Sequence, residues 1–230
     1  MTHSRGNRSD KLKRLFAEWL KSYPTTHQEH FHKDGIVNEV RYRREASRIL
    51  YVTLEPNSRD GRYNKYLGKD LRYMWGVKGL GKSFDLNLAR WTAVLLDGET
   101  KYSSPNAEGA KQQLRRVAIM NLKKLAGSGK ANHEAISVQA WRDKDYIRRQ
   151  VEIIQPTLVV TCGVSANRLF WWVINDDPLK ELPKKSVWSH GQFRVLPANH
   201  PSLRPTNARD AFKRVVDTAK KWKVGALGTK

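Results

Sequence analysis

The sequence contains a single cysteine, Cys162, so it has no partner for an intrachain disulfide and cannot supply a cysteine-ligated cluster or a multi-cysteine zinc site. No apolar segment approaches the roughly 20 residues that a membrane-spanning helix needs. No signal-peptide core follows Met1, which favours a cytoplasmic protein with no membrane partner. We therefore expect the fold to rest on a hydrophobic core to which Cys162 belongs.

Acidic residues are scarce relative to basic ones. Asp and Glu total 22 against 43 Lys and Arg, which leaves a formal charge of +21. A surface with so large an excess of one sign predicts a polyanionic partner, and nucleic acid is the commonest of these. We therefore expect a nucleic-acid-binding protein.

Apolar segments rich in β-branched residues alternate with segments of helical spacing, which is typical of an α/β domain with a parallel sheet. With 230 residues and no linker, the chain is predicted to form one domain, 1–230. Residues 1–9 are expected to form a flexible basic tail and 10–23 an N-terminal helix that begins at Asp10. The predicted strands cover 49–53, 117–120, 158–162 and 193–197. Further helices are predicted over 86–95, 107–116, 143–154, 165–174 and 208–223, and 175–191 is expected to be a surface excursion.

Each predicted strand runs directly into polar loop residues. The carboxyl ends of parallel strands converge on one crevice, which is where ligands bind in such sheets. The candidates for one site are therefore Glu55, Asn57, Asn121, Lys123, Ser165, Asn199, His200 and Ser202. A lone Glu or Asn at such a position is otherwise an exposed loop acid or a turn former. The small-residue turn at Gly163 is suited to a phosphate but is also an ordinary connection between strand and helix.

Three other stretches carry alternative interpretations. Aromatic residues alternate with Arg and Lys between residues 59 and 75, which suits stacking on bases, although some of these aromatics can belong to the core. They are Tyr63, Tyr66, Tyr73 and Trp75.

Residues 76–83, GVKGLGKS, match the phosphate-binding loop G-x-x-x-x-G-K-[ST]. The segment before them is a poor candidate for a buried strand, so a flexible basic loop is the alternative. The loop histidines permit a metal site, with solvated imidazoles as the alternative. They are His27, His30 and His32.

The polar residues after the four strands follow a definite order: an acid with Pro, then Asn, then Gly-x-x-Ala, then His-Pro-Ser. These are Glu55–Pro56, Asn121, Gly163–Ala166 and His200–Ser202. In this order, over roughly Ile49 to Phe212, the chain resembles the uracil-DNA glycosylase superfamily. The resemblance implies an α/β fold of three layers, with a four-stranded parallel sheet flanked by helices.

The resemblance also implies roles for individual residues. Glu55 corresponds to the acid or amide that handles the attacking water and the positive charge on the sugar, and Asn121 to the amide that pairs with the polar edge of the flipped base. His200 corresponds to the imidazole that assists the base as it leaves with negative charge. A side chain just after this loop, Leu203 or Arg204, is expected to wedge into the duplex. The expected DNA contacts and wedge together are Lys123, Ser165, Ser202, Leu203 and Arg204.

Asn57 stands where uracil-specific members have a bulky Tyr, so the base pocket, formed with Tyr63 and Tyr66, is expected to admit a 5-substituent. The predicted function is that of a monomeric DNA glycosylase without metal or cofactor, acting on a modified or 5-substituted pyrimidine such as glucosylated hydroxymethylcytosine of phage DNA. In this the chain resembles anti-phage glycosylases of the same superfamily. The alternatives are a non-catalytic nucleic-acid-binding module on the same fold and a nucleotide hydrolase that uses residues 76–83.

Overall fold

The computed structural model describes residues 7–56, 70–73, 83–127, 131–183, 187–203 and 205–228. These residues contain a six-stranded sheet with strands β1 (Gly35–Ile36), β2 (Ile49–Thr53), β3 (Ala118–Asn121), β4 (Leu158–Cys162), β5 (Trp188–His190) and β6 (Phe193–Ala198). The strand order is β1-β3-β2-β4-β6-β5. The four central strands are parallel, whereas β1 lies antiparallel to β3 and β5 antiparallel to β6.

The α/β class is confirmed, but the expected four-stranded, wholly parallel sheet is not, because two antiparallel edge strands make the sheet six-stranded and mixed. Both additional strands are short edge strands that lack an apolar run. Strand β5 lies within 175–191, the segment that was expected to be an irregular surface loop. A two-residue turn that contains Gly191, with φ +53°, connects β5 to β6, and the two strands pair as a hairpin. Strand β1 contains only two residues and pairs with Ala118 and Ile119.

Each predicted helix is present, with shifts at its ends, and three further α-helices are found among the described residues. The helices are α1 (Arg8–Lys21), α2 (Thr25–Gln28), α3 (Glu39–Arg44), α4 (Ser83–Asp97), α5 (Ala107–Leu114), α6 (His133–Arg142), α7 (Lys144–Ile154), α8 (Val164–Asn175) and α9 (Pro205–Trp222), followed by a 3-10 helix, Gly225–Gly228. Helices α2, α3 and α6 and the 3-10 helix were not predicted.

The N-terminal helix starts before Asp10, so the last part of the expected flexible tail is ordered. The side chain of Asn7 caps the helix by accepting a hydrogen bond from the backbone N–H of Asp10. The backbone N–H groups of Arg8 and Ser9 each donate to the carboxylate of Glu39 at 2.8 Å. A carboxylate is favoured there because the first N–H groups of a helix have no intrahelical acceptor.

The helices cover both faces of the sheet, which explains why every residue of β2 and β4 is buried. Side chains alternate along β2, so Leu50 and Val52 join the core beneath α1, α7 and α8, whereas Ile49 and Tyr51 join the core beneath α4, α5 and α9. Cys162 lies in the second core as expected, and burial raises the pKa of its thiol. Among the described residues, no helix is both long and apolar enough to cross a membrane.

A buried ion pair between Asp34 and Lys124 joins the edge of the sheet to the helices, and both side chains are fully buried. The Lys124 ammonium donates to the two Asp34 oxygens at 2.7 and 2.9 Å and to the carbonyl oxygen of Asn121 at 2.8 Å. It also lies 5.0 Å from the ring centre of Trp19. Gln150 of α7 donates to Asp34 at 2.7 Å. Burial lowers the pKa of Lys124, and the Asp34 carboxylate opposes that shift.

Removing the cation should leave the Asp34 carboxylate buried without its counterion. We expect Lys124→Met to lower the free energy of unfolding by about 3–5 kcal/mol, because breaking a buried pair leaves an uncompensated charge. Urea denaturation measures the change. Lys11→Met, at an exposed position of α1, is the matched control and should change stability by less than about 0.5 kcal/mol. Equal denaturation midpoints for the two variants would contradict the account of the pair.

Candidate active site

The carboxyl ends of the four parallel strands lie at one edge of the sheet, as the sequence predicted. The register places Thr53 beside Asn121 and Cys162 beside Ala198. Backbone hydrogen bonds continue past the strands, from the N–H of Lys123 to the Leu54 oxygen at 2.8 Å and from the N–H of Gly163 to the Ala198 oxygen at 2.8 Å. The loops that carry Glu55, Lys123 and His200 therefore all leave from the same edge.

Glu55 follows β2 and is held in place by two neighbours. Its carboxylate accepts a hydrogen bond from the ammonium group of Lys123 at 2.5 Å. The side chains of Glu55 and Lys123 are only 9% and 14% exposed, respectively. Glu55 also lies against Gly127, where any Cβ would overlap the carboxylate. The N–H of Gly127 donates to the Pro56 oxygen at 2.8 Å, which holds this loop in place. Glu55 is therefore a fixed, ion-paired carboxylate at the edge of the sheet where the parallel strands end.

His200 presents a hydrogen-bond donor from the loop after β6. The backbone N–H of Ser202 donates to its Nδ1 at 3.2 Å, so in the neutral ring the proton resides on Nε2. His200 is solvent-exposed. The protein atoms around its ring nevertheless remove part of the ring's hydration, and this partial desolvation lowers the pKa of the imidazole below its ordinary value. Near neutral pH the imidazole is therefore uncharged and its Nε2–H is available as a donor.

Two buried polar residues of α4 fix the His200 loop, and the sequence analysis did not identify them. Asn87 donates to the Pro201 oxygen at 2.8 Å and accepts from Arg90 at 2.7 Å. Arg90 in turn donates to the Ser103 oxygen at 2.7 Å and to the Ser104 hydroxyl at 2.9 Å. The available signal was an Asn and an Arg three residues apart, at positions flanked by the apolar residues Leu86, Leu88, Ala89 and Trp91.

Asn121 was expected at the exit of the second predicted strand, and the structure places it at the end of β3. It is buried, and its side chain is already bonded within the protein. Its Oδ1 accepts a hydrogen bond from the Thr53 hydroxyl at 2.7 Å, and its Nδ2 donates a hydrogen bond to the Asp34 carboxylate at 3.3 Å. These two bonds fix the orientation of the amide and leave one N–H and one lone pair for any further partner.

The residues expected to contact DNA do not all project from the surface. Ser202 is exposed, and so is Ser165, which borders a cavity of about 180 Å³ together with His133, Arg168 and Trp172. Leu203, one of the two wedge candidates, is partly buried against the core beneath α4 and α9. Asn57, Tyr63, Tyr66 and Arg204 lie outside the described residues, as does all of 76–83 except Ser83, the first residue of α4.

The histidines of the N-terminal loop differ in environment. His27 is exposed, His32 is buried, and His30 lies 3.3 Å from the carboxylate of Glu29. In the part of the chain that the structure describes, no three His, Cys, Asp or Glu residues come together in a group that could hold a metal ion.

The contact between Glu55 and Gly127 can be tested by a double-mutant cycle. A methyl group at residue 127 should displace the carboxylate, so Gly127→Ala should cost about 1–3 kcal/mol of stability, as overpacking generally does. In a Glu55→Ala background the methyl group has space, and the same substitution should cost less than about 0.5 kcal/mol. Urea denaturation of the four proteins gives the coupling, and an equal cost in both backgrounds would disprove the contact.

No protein-family model and no curated protein matches this chain. The comparisons therefore assign the chain to no family.

Proposed function

We propose that the protein is a DNA glycosylase that extrudes a base from the duplex and hydrolyses its N-glycosidic bond, leaving an abasic site. One observation supports this proposal most strongly: the loops that leave one edge of the sheet hold both a fixed carboxylate, Glu55, and an imidazole N–H donor, His200. The formal charge of +21 supports DNA as the partner. The glycosidic bond is inaccessible within the base stack, so the nucleotide must leave the duplex before it reaches this edge.

Cleavage of the bond separates charge, and the two residues suit the two ends of that separation. The sugar becomes positive as the bond breaks, and the carboxylate of Glu55 stabilises that charge and orients the attacking water. The base leaves with negative charge, and Nε2–H of His200 donates to it. Because Asn87 and Gly127 hold the two loops, little reorganisation is needed during the reaction.

Recognition of the base is assigned to Asn121. Its amide has a fixed orientation and retains one donor and one acceptor, which is what pairing with the polar edge of a pyrimidine requires. Asn57, with Tyr63 and Tyr66, leads us to propose a pyrimidine with a 5-substituent as the substrate. Glucosylated hydroxymethylcytosine of phage DNA is the narrower proposal, and both rest on the resemblance to the uracil-DNA glycosylase superfamily.

Contacts with the DNA backbone are assigned to α9, which begins directly after the His200 loop. Five basic side chains of this helix are exposed, and within the described residues none of them forms an ion pair. They are Arg209, Lys213, Arg214, Lys220 and Lys221. Only two acids, Asp210 and Asp217, are exposed on the same helix. Binding through such cations releases counterions, so the affinity should fall steeply with salt.

A second candidate is a DNA-binding module that performs no chemistry. It is favoured by the ion pair of Glu55 with Lys123, which neutralises the carboxylate, and by the burial of Asn121. The two functions differ in whether a base is released.

Replacing Glu55 by glutamine should separate binding from chemistry. Glu55→Gln keeps the shape of the side chain but removes its charge, so we expect DNA affinity within a few-fold of wild type and a loss of base release of at least about 100-fold. Fluorescence anisotropy measures the affinity, and alkali-induced strand breakage measures the abasic product.

The matched control for this prediction is Glu108→Gln, which removes an exposed carboxylate from the first turn of α5 and should leave both quantities unchanged. Equal turnover by the Glu55→Gln variant and the wild type would remove Glu55 from the mechanism.

A further inference from the structure

Two adjacent lysines follow β3, and their ammonium groups have different environments. Lys124 is fully buried, and its three hydrogen bonds are made to Asp34 and to the Asn121 oxygen. Lys123 instead directs its ammonium to Glu55, at the edge where the strands end. Lys124 therefore maintains the fold, whereas Lys123 places an amine in the candidate active site.

The position of this amine is well defined. Its nitrogen lies 2.5 Å from the Glu55 carboxylate, and both side chains are largely enclosed. Its backbone N–H is bonded to the Leu54 oxygen, so the residue is held in register with the exit of β2. If Glu55 contacts the reacting sugar, then the amine of Lys123 must lie within a few ångströms of the same sugar carbon.

We propose that Lys123 gives the protein a second activity, the cleavage of the DNA strand at an abasic site. This rests on the proposed function in that Glu55 is taken to contact the sugar. An abasic deoxyribose opens to an aldehyde at C1′, and a lysine amine placed beside an aldehyde forms a Schiff base with it. The substrate class is therefore DNA that carries an abasic site, whether the protein generates that site or meets it already formed.

The reaction balances with the groups that are present. The Lys123 ammonium passes a proton to Glu55, and the free amine adds to C1′. The carbonyl oxygen then leaves as water, and a protonated imine remains. The imine makes the C2′ hydrogen acidic, and a carboxylate beside the amine is suitably placed to accept that proton once it is ionised again. The C3′–O bond then breaks, the 3′ phosphate leaves as an anion, and water hydrolyses the imine to regenerate Lys123.

The test uses the full chain and a labelled duplex with a preformed abasic site, in the presence of borohydride, which reduces the imine to a stable amine. We expect a covalent protein–DNA adduct, and in its absence strand cleavage without alkali. Lys123→Arg keeps a cation opposite Glu55 but forms no imine, so the trapped fraction should fall at least tenfold. Lys101→Arg, at an exposed loop position, is the matched control and should trap as much as wild type.

Mapping the trapped peptide by mass spectrometry keeps the proposal testable even if Lys123→Arg fails to fold. The proposal predicts that the deoxyribose remnant is attached to Lys123. Absence of an adduct, attachment at another amine, or equal trapping by Lys123→Arg would overturn it. Because the abasic site is supplied, a negative result here leaves base release untouched. Conversely, trapping by a protein that releases no base would contradict only the glycosylase proposal.

Discussion

The buried ion pair between Asp34 and Lys124 is the interaction on which the candidate site depends. The Asp34 carboxylate accepts hydrogen bonds from Lys124, from Gln150 of α7, and from both the backbone and the side chain of Asn121. A charge buried without partners would be very unfavourable, so the four groups must adopt one arrangement together. That arrangement fixes the end of β3, and with it the amide of Asn121 and the starting point of the Lys123 side chain.

The remaining site residues are also held by contacts from parts of the chain outside their own loops. Glu55 is confined between Lys123 and Gly127, and the His200 loop is anchored by Asn87 of α4. Such preorganisation is what electrostatic catalysis requires, because dipoles and charges that are already oriented need not reorganise as charge develops. Leu203, which follows the His200 loop, is partly buried against the core beneath α4 and α9.

The parts of the structure that sequence reasoning predicted are those with a local signal. Strands β2 and β4 were predicted with their observed limits, because both are continuous apolar runs buried on both faces. The edge strands β1 and β5 were missed because they have two and three residues and depend on pairing for their existence. The convergence of the strand exits followed from the parallel order, but the partners of Asn121 did not. Asp34 is 87 residues away in sequence, and only the tertiary structure brings its carboxylate to that amide.

The central claim is that this site breaks an N-glycosidic bond, and direct detection of the released base tests it most simply. Wild-type protein is incubated with duplexes that carry uracil, a thymine mispair, hydroxymethylcytosine or its glucosylated form, and free bases are identified by mass spectrometry. The account predicts release of a base with a bulky 5-substituent, with an equal amount of abasic sites in the DNA. Tight binding of all these duplexes without release of any base would contradict it and favour the non-catalytic DNA-binding module.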